Sequence, residues 1–264
     1  MARRVSALVE QATVLAEREL DVLALQEVTK RTLPLWRSAC ATIGLPHVRA
    51  SLDDADPARQ PASRRTTGVL VAAREPLADG VAALPVPWPE TVLSVQLAES
   101  LVEVCCAHVP NAANGWVKVE TLEAIRAGLE AAPPGPRVLC GDLNTPRRET
   151  PDGGVISFGR DSRGRLRPER GARWDDGELG VVPGLRELGY RDAFRSLHGY
   201  AAREPSWTWE QVAGHAGGWR LDHLFASPEL EPLACTYHHE WRRRGLSDHS
   251  ALEADLGVSQ PGIS

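Results

Sequence analysis

The chain has 264 residues, of which 42% are hydrophobic and 25% charged, with a formal net charge of -5. These proportions exclude the disordered, collagen-like and coiled-coil classes and fit one α/β domain with a substantial core. No apolar run approaches the roughly 18 residues of a membrane span, and Glu10 interrupts the one N-terminal stretch that could pass for a signal-peptide core, so the expectation is a cytoplasmic monomer without a membrane partner.

Val5, Leu8, Val9, Ala12, Leu15 and Ala16 recur at helical spacing within residues 5 to 19, and the apolar run 21 to 25 follows. This pattern predicts a helix leading into a buried strand. Further strands are predicted at 68–72, 91–97, 101–107, 138–140, 221–226 and 251–256, with a helix at 117–131 that Pro133-Pro134-Gly135 stops. Segments 53–65 and 147–173 read as loops, because Gly, Pro and Arg dominate and no apolar period survives. With no repeat or linker, residues 1–264 are expected to form a single domain. The five cysteines are odd in number, contain no C-x-x-C pair and sit mostly in apolar runs, which predicts reduced, buried thiols. Of the 30 basic residues only Lys30 and Lys118 are lysine. That bias reflects coding composition, so abundant arginine is weak evidence for nucleic acid, and a net negative charge can hide a local basic face.

Polar residues gather at the ends of the apolar runs, where α/β proteins build sites. Glu27 follows 22–26, His108 follows 101–107, Asp142 and Asn144 follow 138–140, Asp222 lies in 220–226, and Asp248 and His249 precede 251–256. Taken singly, each reads as well as a loop residue, a helix cap or a structural histidine. In Gly141-Asp142-Leu143-Asn144, the i and i+2 positions of an extended segment put a carboxylate and an amide on one side, fit to orient a water, while Gly141 allows close backbone approach. Asp248 beside His249 can serve a metal and an oxyanion. Oxygen ligands without a Cys/His cluster favour Mg²⁺ or Mn²⁺ over Zn²⁺.

The chain resembles the endonuclease/exonuclease/phosphatase superfamily, and within it the exonuclease III type of abasic-site endonucleases. The matching motifs, in family order, are Leu25-Gln26-Glu27, Val109-Pro110-Asn111-Ala112, Gly141-Asp142-Leu143-Asn144, Gly218-Trp219-Arg220-Leu221-Asp222 and Ser247-Asp248-His249. The resemblance implies a four-layer α/β/β/α sandwich with the site at one end of two packed sheets. It implies Glu27 and Asp248 at the metal, Asp142 aligning or deprotonating the attacking water with Asn144 as its partner, and His249 polarising the phosphate under orientation by Asp222. Asn111 would contact substrate. Two departures stand out. His108 occupies a position where the abasic endonucleases usually carry tyrosine, and the family's first strand, ending in Trp-Asn, is missing because this chain starts directly in the helix.

Trp207, Trp209 and Trp219 cluster before Asp222. Similar aromatics line the abasic-sugar pocket of the family and could stack on bases, and core packing accounts for them equally. Arg242, Arg243 and Arg244, and the eight arginines of 147–173, could grip phosphates or form solvated faces. The expected protein is a Mg²⁺-dependent phosphodiester hydrolase acting on DNA as a repair nuclease, an abasic-site endonuclease or 3′-exonuclease. The alternatives are a phosphatase or phosphodiesterase for small or lipid-derived phosphate esters, which His108 and the net negative charge favour, and a catalytically weak DNA-binding homologue.

Overall fold

The computed structural model describes residues 5–53, 67–210 and 216–258. Helix α1 (Val5–Ala16) leads into β1 (Val22–Thr29), α2 (Leu33–Thr42), β2 (His47–Ala50), β3 (Thr67–Ala73), β4 (Leu77–Asp79), β5 (Val92–Leu97) and β6 (Glu103–His108). Then come α3 (Trp116–Ala131), β7 (Arg137–Asp142), β8 (Arg148–Glu149), β9 (Val155–Ile156), α4 (Gly171–Leu179), β10 (Arg191–Asp192) and α5 (Ala193–His198). The chain closes with β11 (Trp207–Glu210), β12 (Ala216–Trp219), β13 (Asp222–Ala226), β14 (Leu230–His238), α6 (His239–Arg243) and β15 (Ala251–Val258).

Strand alternation sets the layers, because successive side chains face opposite sides of a sheet. Along β3, Leu70 and Ala72 face α1 and α2, meeting Leu8, Leu15, Trp36 and Cys40. Val69, Val71 and Ala73 face the other way and meet Val95, Leu97, Val104 and Cys106 of the second sheet. Along β6, Cys105 and Ala107 turn from that inter-sheet core towards Leu122, Ile125 and Leu129 of α3. One buried strand therefore serves two cores, and the order is helix, sheet, sheet, helix, as the resemblance implied. The first sheet has the order β1-β3-β2 and the second β10-β13-β7-β6-β5-β4, with β14-β15 as a separate ladder. Within the second sheet β6 and β7 run parallel, joined over the sheet by α3, and all other neighbours are antiparallel.

The predicted helices and buried strands all form. Missed were the short or one-sided elements: α2, β2, β4, β14, the small pieces β8, β9 and α4 inside or just after the arginine-rich segment, and β10, α5, β11, β12 and α6. Strand β14 alternates buried and exposed positions, and Glu231 and Pro232 at its start mask the period. Most of the predicted loop 53–65 lies outside the described residues. All five cysteines are unpaired thiols, four buried and Cys140 half-buried. Among the described residues, no helix is long and apolar enough to cross a membrane.

Candidate active site

Backbone register assembles the centre of the site. In the parallel ladder His108 lies opposite Asp142, and in the antiparallel ladder on the other edge of β7 Asp142 lies opposite Asp222. Three neighbouring strands thus end in one row of polar side chains. His108 Nε2 stands 3.8 Å from Asp142 Oδ2. His249 arrives from the segment before β15, where an isolated bridge with Trp207 holds it, and its Nδ1 is 2.8 Å from Asp222 Oδ2. One ligand atom each from Asp142, Asp222 and His249 lie within 4.8 Å of one another.

Two backbone features make this packing fit. Gly141 has φ +128°, and a Cβ there would lie 2.0 Å from the Ala107 carbonyl oxygen, so no other residue fits between β6 and the end of β7. Asn144 has φ +51°, which corrects the extended geometry expected for this motif. Asp142 and Asn144 meet because the chain turns through the left-handed region: Asn144 N donates to Asp142 Oδ1 at 2.9 Å and Asn144 Nδ2 to Asp142 Oδ2 at 3.1 Å. Nδ2 also donates to the Val109 carbonyl at 2.8 Å, which leaves Oδ1 as the atom able to accept from a water.

The electrostatics divide the groups. Burial, then the charge of Asp222, pushes the Asp142 carboxyl up to about 8. Burial works against His249 as an imidazolium, but Asp222 outweighs it by charge and hydrogen bond and raises the imidazole to about 9. Asp222 is held below its usual range: burial opposes ionisation, and the charge and hydrogen bond of His249 overcome it. His108 is lowered, chiefly by burial, and so is a neutral donor at neutral pH.

The other predicted residues lie around this centre. Glu27 is exposed at φ +58°, on a β-bulge where the β1–β3 register shifts between Leu25 and Val28. Its charge bears on both His108 and Asp142. A bulky residue in the left-handed region costs roughly 1 to 2 kcal/mol, and such strain clusters at functional sites. Asp248 is exposed, and its charge raises His249. Neither joins the tight group of Asp142, Asp222 and His249. The donors suit a hard divalent cation: burial first and the charge of Asp222 second raise Asp142 to about 8, and a bound positive charge would relieve both. Asn111 caps a short turn, with Oδ1 accepting from Ala113 N at 3.0 Å.

Trp207 and Trp219 stack with ring centroids 5.1 Å apart, paired across the β11–β12 ladder, and both are half-buried. The Trp209 side chain lies outside the described residues. Arg243 and Arg244 are exposed at the end of α6, whereas Arg242 is half-buried and donates to the Pro205 carbonyl. Much of the arginine-rich segment is engaged internally: Arg160 pairs with Asp175, Arg165 with Asp161, Arg167 with Glu169 and Arg173 with Glu123.

With this geometry in view, comparison with known proteins is decisive on ancestry. The model of the endonuclease/exonuclease/phosphatase family matches residues 2–249. The chain belongs to that family. It is 30% identical over 161 residues to the DNA repair nuclease APEX1 of Danio rerio, a match covering 58% of this chain and 48% of the relative. The chain thus spans about half the length of that curated relative. An AP endonuclease structure from Archaeoglobus fulgidus superposes with TM-score 0.64 at 21% identity, over 94% of this chain and 93% of that one. TDP2 of Danio rerio, complexed with a single-strand DNA product, gives 0.65 at 14% identity over 98% and 94%. The 3′ phosphatase NExo from Neisseria, bound to a product DNA hairpin, gives 0.60 at 20% identity over 96% and 95%. At these identities the structural matches establish the fold of this family member.

The sequence reading missed Lys118 and Glu178. Lys118 Nζ donates to Glu178 Oε1 at 2.7 Å and to the Asn144 carbonyl at 2.8 Å. Glu178 Oε2 accepts from Thr145 Oγ1 at 2.7 Å and Phe158 N at 2.8 Å, and Oε1 accepts from Trp174 Nε1 at 2.6 Å. The signal was present: one of two lysines in an arginine-rich chain sits on the apolar face of a helix that buries Val119, Leu122, Ile125 and Leu129. Ser206 was missed too. Its Oγ accepts from the backbone N of Leu221 and of Asp222 at 2.9 and 3.1 Å, fixing the start of β13.

Proposed function

We propose that the protein is a divalent-cation-dependent phosphodiesterase acting on DNA as a repair nuclease. The observation that carries this reading is the row His108, Asp142, Asp222 with His249 bonded to Asp222. Phosphodiester hydrolysis needs an aligned water, neutralised phosphate oxygens and a stabilised leaving alkoxide. The ionised form of Asp142, whose proton affinity is raised by burial and Asp222, takes the water's proton, and Asn144 Oδ1 orients that water. His249, cationic up to about pH 9, donates from Nε2 to a phosphate oxygen while Asp222 fixes the ring. Neutral His108 donates a second hydrogen bond to the phosphate. Glu27 and Asp248 would hold a Mg²⁺ or Mn²⁺ ion, which would supply charge neutralisation at the phosphate.

DNA as substrate is supported by the DNA-directed names of the relatives and by the Trp207–Trp219 stack, bridged at Trp207 to His249. Half-buried tryptophans can accept an abasic sugar or stack on a base, and the exposed Arg243 and Arg244 can hold flanking phosphates. The test is a panel of abasic duplex, nicked DNA, a small phosphate diester and inositol phosphates, assayed with EDTA and with restored Mg²⁺ or Mn²⁺. Abasic incision should exceed small-diester hydrolysis, fall steeply with salt, and drop in Arg243→Ala without change on the small diester. Hydrolysis of small esters with no cleavage of any DNA by the metal-loaded protein would establish the phosphatase alternative, which His108 favours.

A further inference from the structure

Arginines that no acid answers come together in one place. Arg147 and Arg148, at the start of the arginine-rich segment, and Arg203, between α5 and β11, line a pocket with a volume of about 440 Å³, within the range of small-ligand sites. Among the described residues neither Arg148 nor Arg203 has an acidic partner, and Arg147 donates only to the Arg160 carbonyl, at 3.4 Å. The acids in the same lining are engaged elsewhere. Glu149 accepts from Arg195 and Arg220, Asp161 from Arg165 and the backbone N of Arg163, and Glu204 pairs with His239. What remains is the positive charge of three guanidiniums, whose planar forks match phosphate oxygens.

The fold connects this pocket to the reacting groups by two routes. His249 is bridged to Trp207, Trp207 stacks on Trp219, and Trp219 lines the pocket. The chain also runs from Asp142 and Asn144 directly to Pro146, which lines it too. The pocket therefore lies one tryptophan beyond the site. Its floor is rigid, because Arg195 and Arg220, each more than nine-tenths buried, are fixed on Glu149, and Arg220 also on Asp192. Two half-buried rings, Tyr200 and Trp219, stand among these charges, and aromatic walls beside arginines suit a sugar or base attached to a phosphate.

We propose that this pocket is a phosphate subsite separate from the reacting centre: Arg147, Arg148 and Arg203 hold the phosphate of one nucleotide, and Tyr200 and Trp219 hold the sugar or base attached to it. That nucleotide is either part of the substrate strand, flanking the scissile phosphate, or free in solution. The first source rests on the DNA reading above, whereas the arginine cluster itself does not.

The test reads binding by the full chain in EDTA, without turnover, in two arms. In the first, calorimetry with dAMP should show binding that weakens at least about tenfold in Arg148→Ala/Arg203→Ala and is unchanged in His249→Ala. Inorganic phosphate should bind the parent more weakly than dAMP, because it lacks the contacts to Tyr200 and Trp219. Arg148 and Arg203 are exposed, so the double variant should keep the parent's melting temperature. In the second arm, anisotropy follows a duplex with a tetrahydrofuran abasic analogue, carrying one uncharged methylphosphonate at each flanking phosphate in turn. One position should cost the parent at least about tenfold and cost the double variant nothing further. Such a position assigns the pocket to the strand, and its absence beside arginine-dependent dAMP binding assigns it to a free nucleotide. Binding of dAMP without binding of any DNA would defeat the DNA reading and leave the pocket standing. No arginine-dependent binding in either arm, or dAMP binding that follows His249 and ignores the arginines, overturns the proposal.

Discussion

Lys118 Nζ, fully buried, donates to the carbonyl oxygen of Asn144 at 2.8 Å and so anchors the left-handed turn that carries Asn144 onto Asp142. The same ammonium pairs with fully buried Glu178 at 2.7 Å, and burial lowers its pKa despite that partner. Removing one member of a buried pair leaves an uncompensated charge, at about 3 to 5 kcal/mol.

Lys118→Met should therefore lose about that much stability in urea unfolding. The double variant Lys118→Met/Glu178→Gln should recover more than half of the loss, because no charge is left unpaired. Turnover should stay depressed in both, with KM little changed, since the Asn144 turn has lost its anchor. Full activity in the double variant would reduce Lys118 to a stabilising role.

Asp142 makes an opposite-signed prediction for the metal-free protein. Its folded pKa of about 8 lies above the ordinary carboxyl value, so the folded state holds the proton more tightly. Stability should fall as pH rises from about 4 to 8, the reverse of the usual carboxylate case. Asp142→Asn should abolish turnover while raising the melting temperature at pH 8 by at least about 2 to 4 °C, the shift that 1 kcal/mol produces in a domain of this size. A lower melting temperature than the parent at pH 8 in EDTA would show that ionised Asp142 is not strained.

The pair of His249 and Asp222 fixes the alkaline limb. His249 is raised to about 9, so its contribution is complete below the unfolded value near 6.5 and is lost as pH rises through 9. Activity that depends on its charge should decline over that upper range. Asp222→Asn should move the titration of His249, followed by its ring NMR signals, down towards 6.5 and carry the activity limb with it. An unmoved titration would mean that another group holds the proton.

Acid sensitivity should originate at a different cluster. Glu149 accepts from Arg195 and Arg220 at 2.6 to 2.8 Å, and Arg220 also reaches Asp192 at 2.6 Å. Burial opposes Glu149 as an anion, but Arg220 and then Arg195 outweigh it and depress the carboxyl to about 2. That contribution is present above the unfolded value and is lost as pH falls from about 4.5 to 2. Glu149→Gln should cost about 3 to 5 kcal/mol at pH 7 and flatten the pH dependence below 4.5. An unchanged acid unfolding curve would place the acid trigger elsewhere.

What the sequence determined by itself is what depends on local periodicity. The runs at 68–72, 101–107 and 138–140 alternate so that both faces are apolar, which demands a layer on each side, and the polar residues that end those runs mark one edge of the sheets. Family motifs likewise need only their order along the chain. Tertiary structure decided what depends on register and on partners distant in sequence. Nothing local places His108 opposite Asp142 and Asp142 opposite Asp222, because a one-residue slip would turn every side chain to the other face. Nothing local shows that Asn144 leaves the extended region to meet Asp142, or that Arg160 and Arg173 are answered by Asp175 and Glu123 on neighbouring segments. Lys118 illustrates the boundary: its rarity and its place on an apolar helix face were legible, but its meaning comes from a carboxylate 60 residues away, because a buried charge is tolerated only where the folded chain supplies its counterpart.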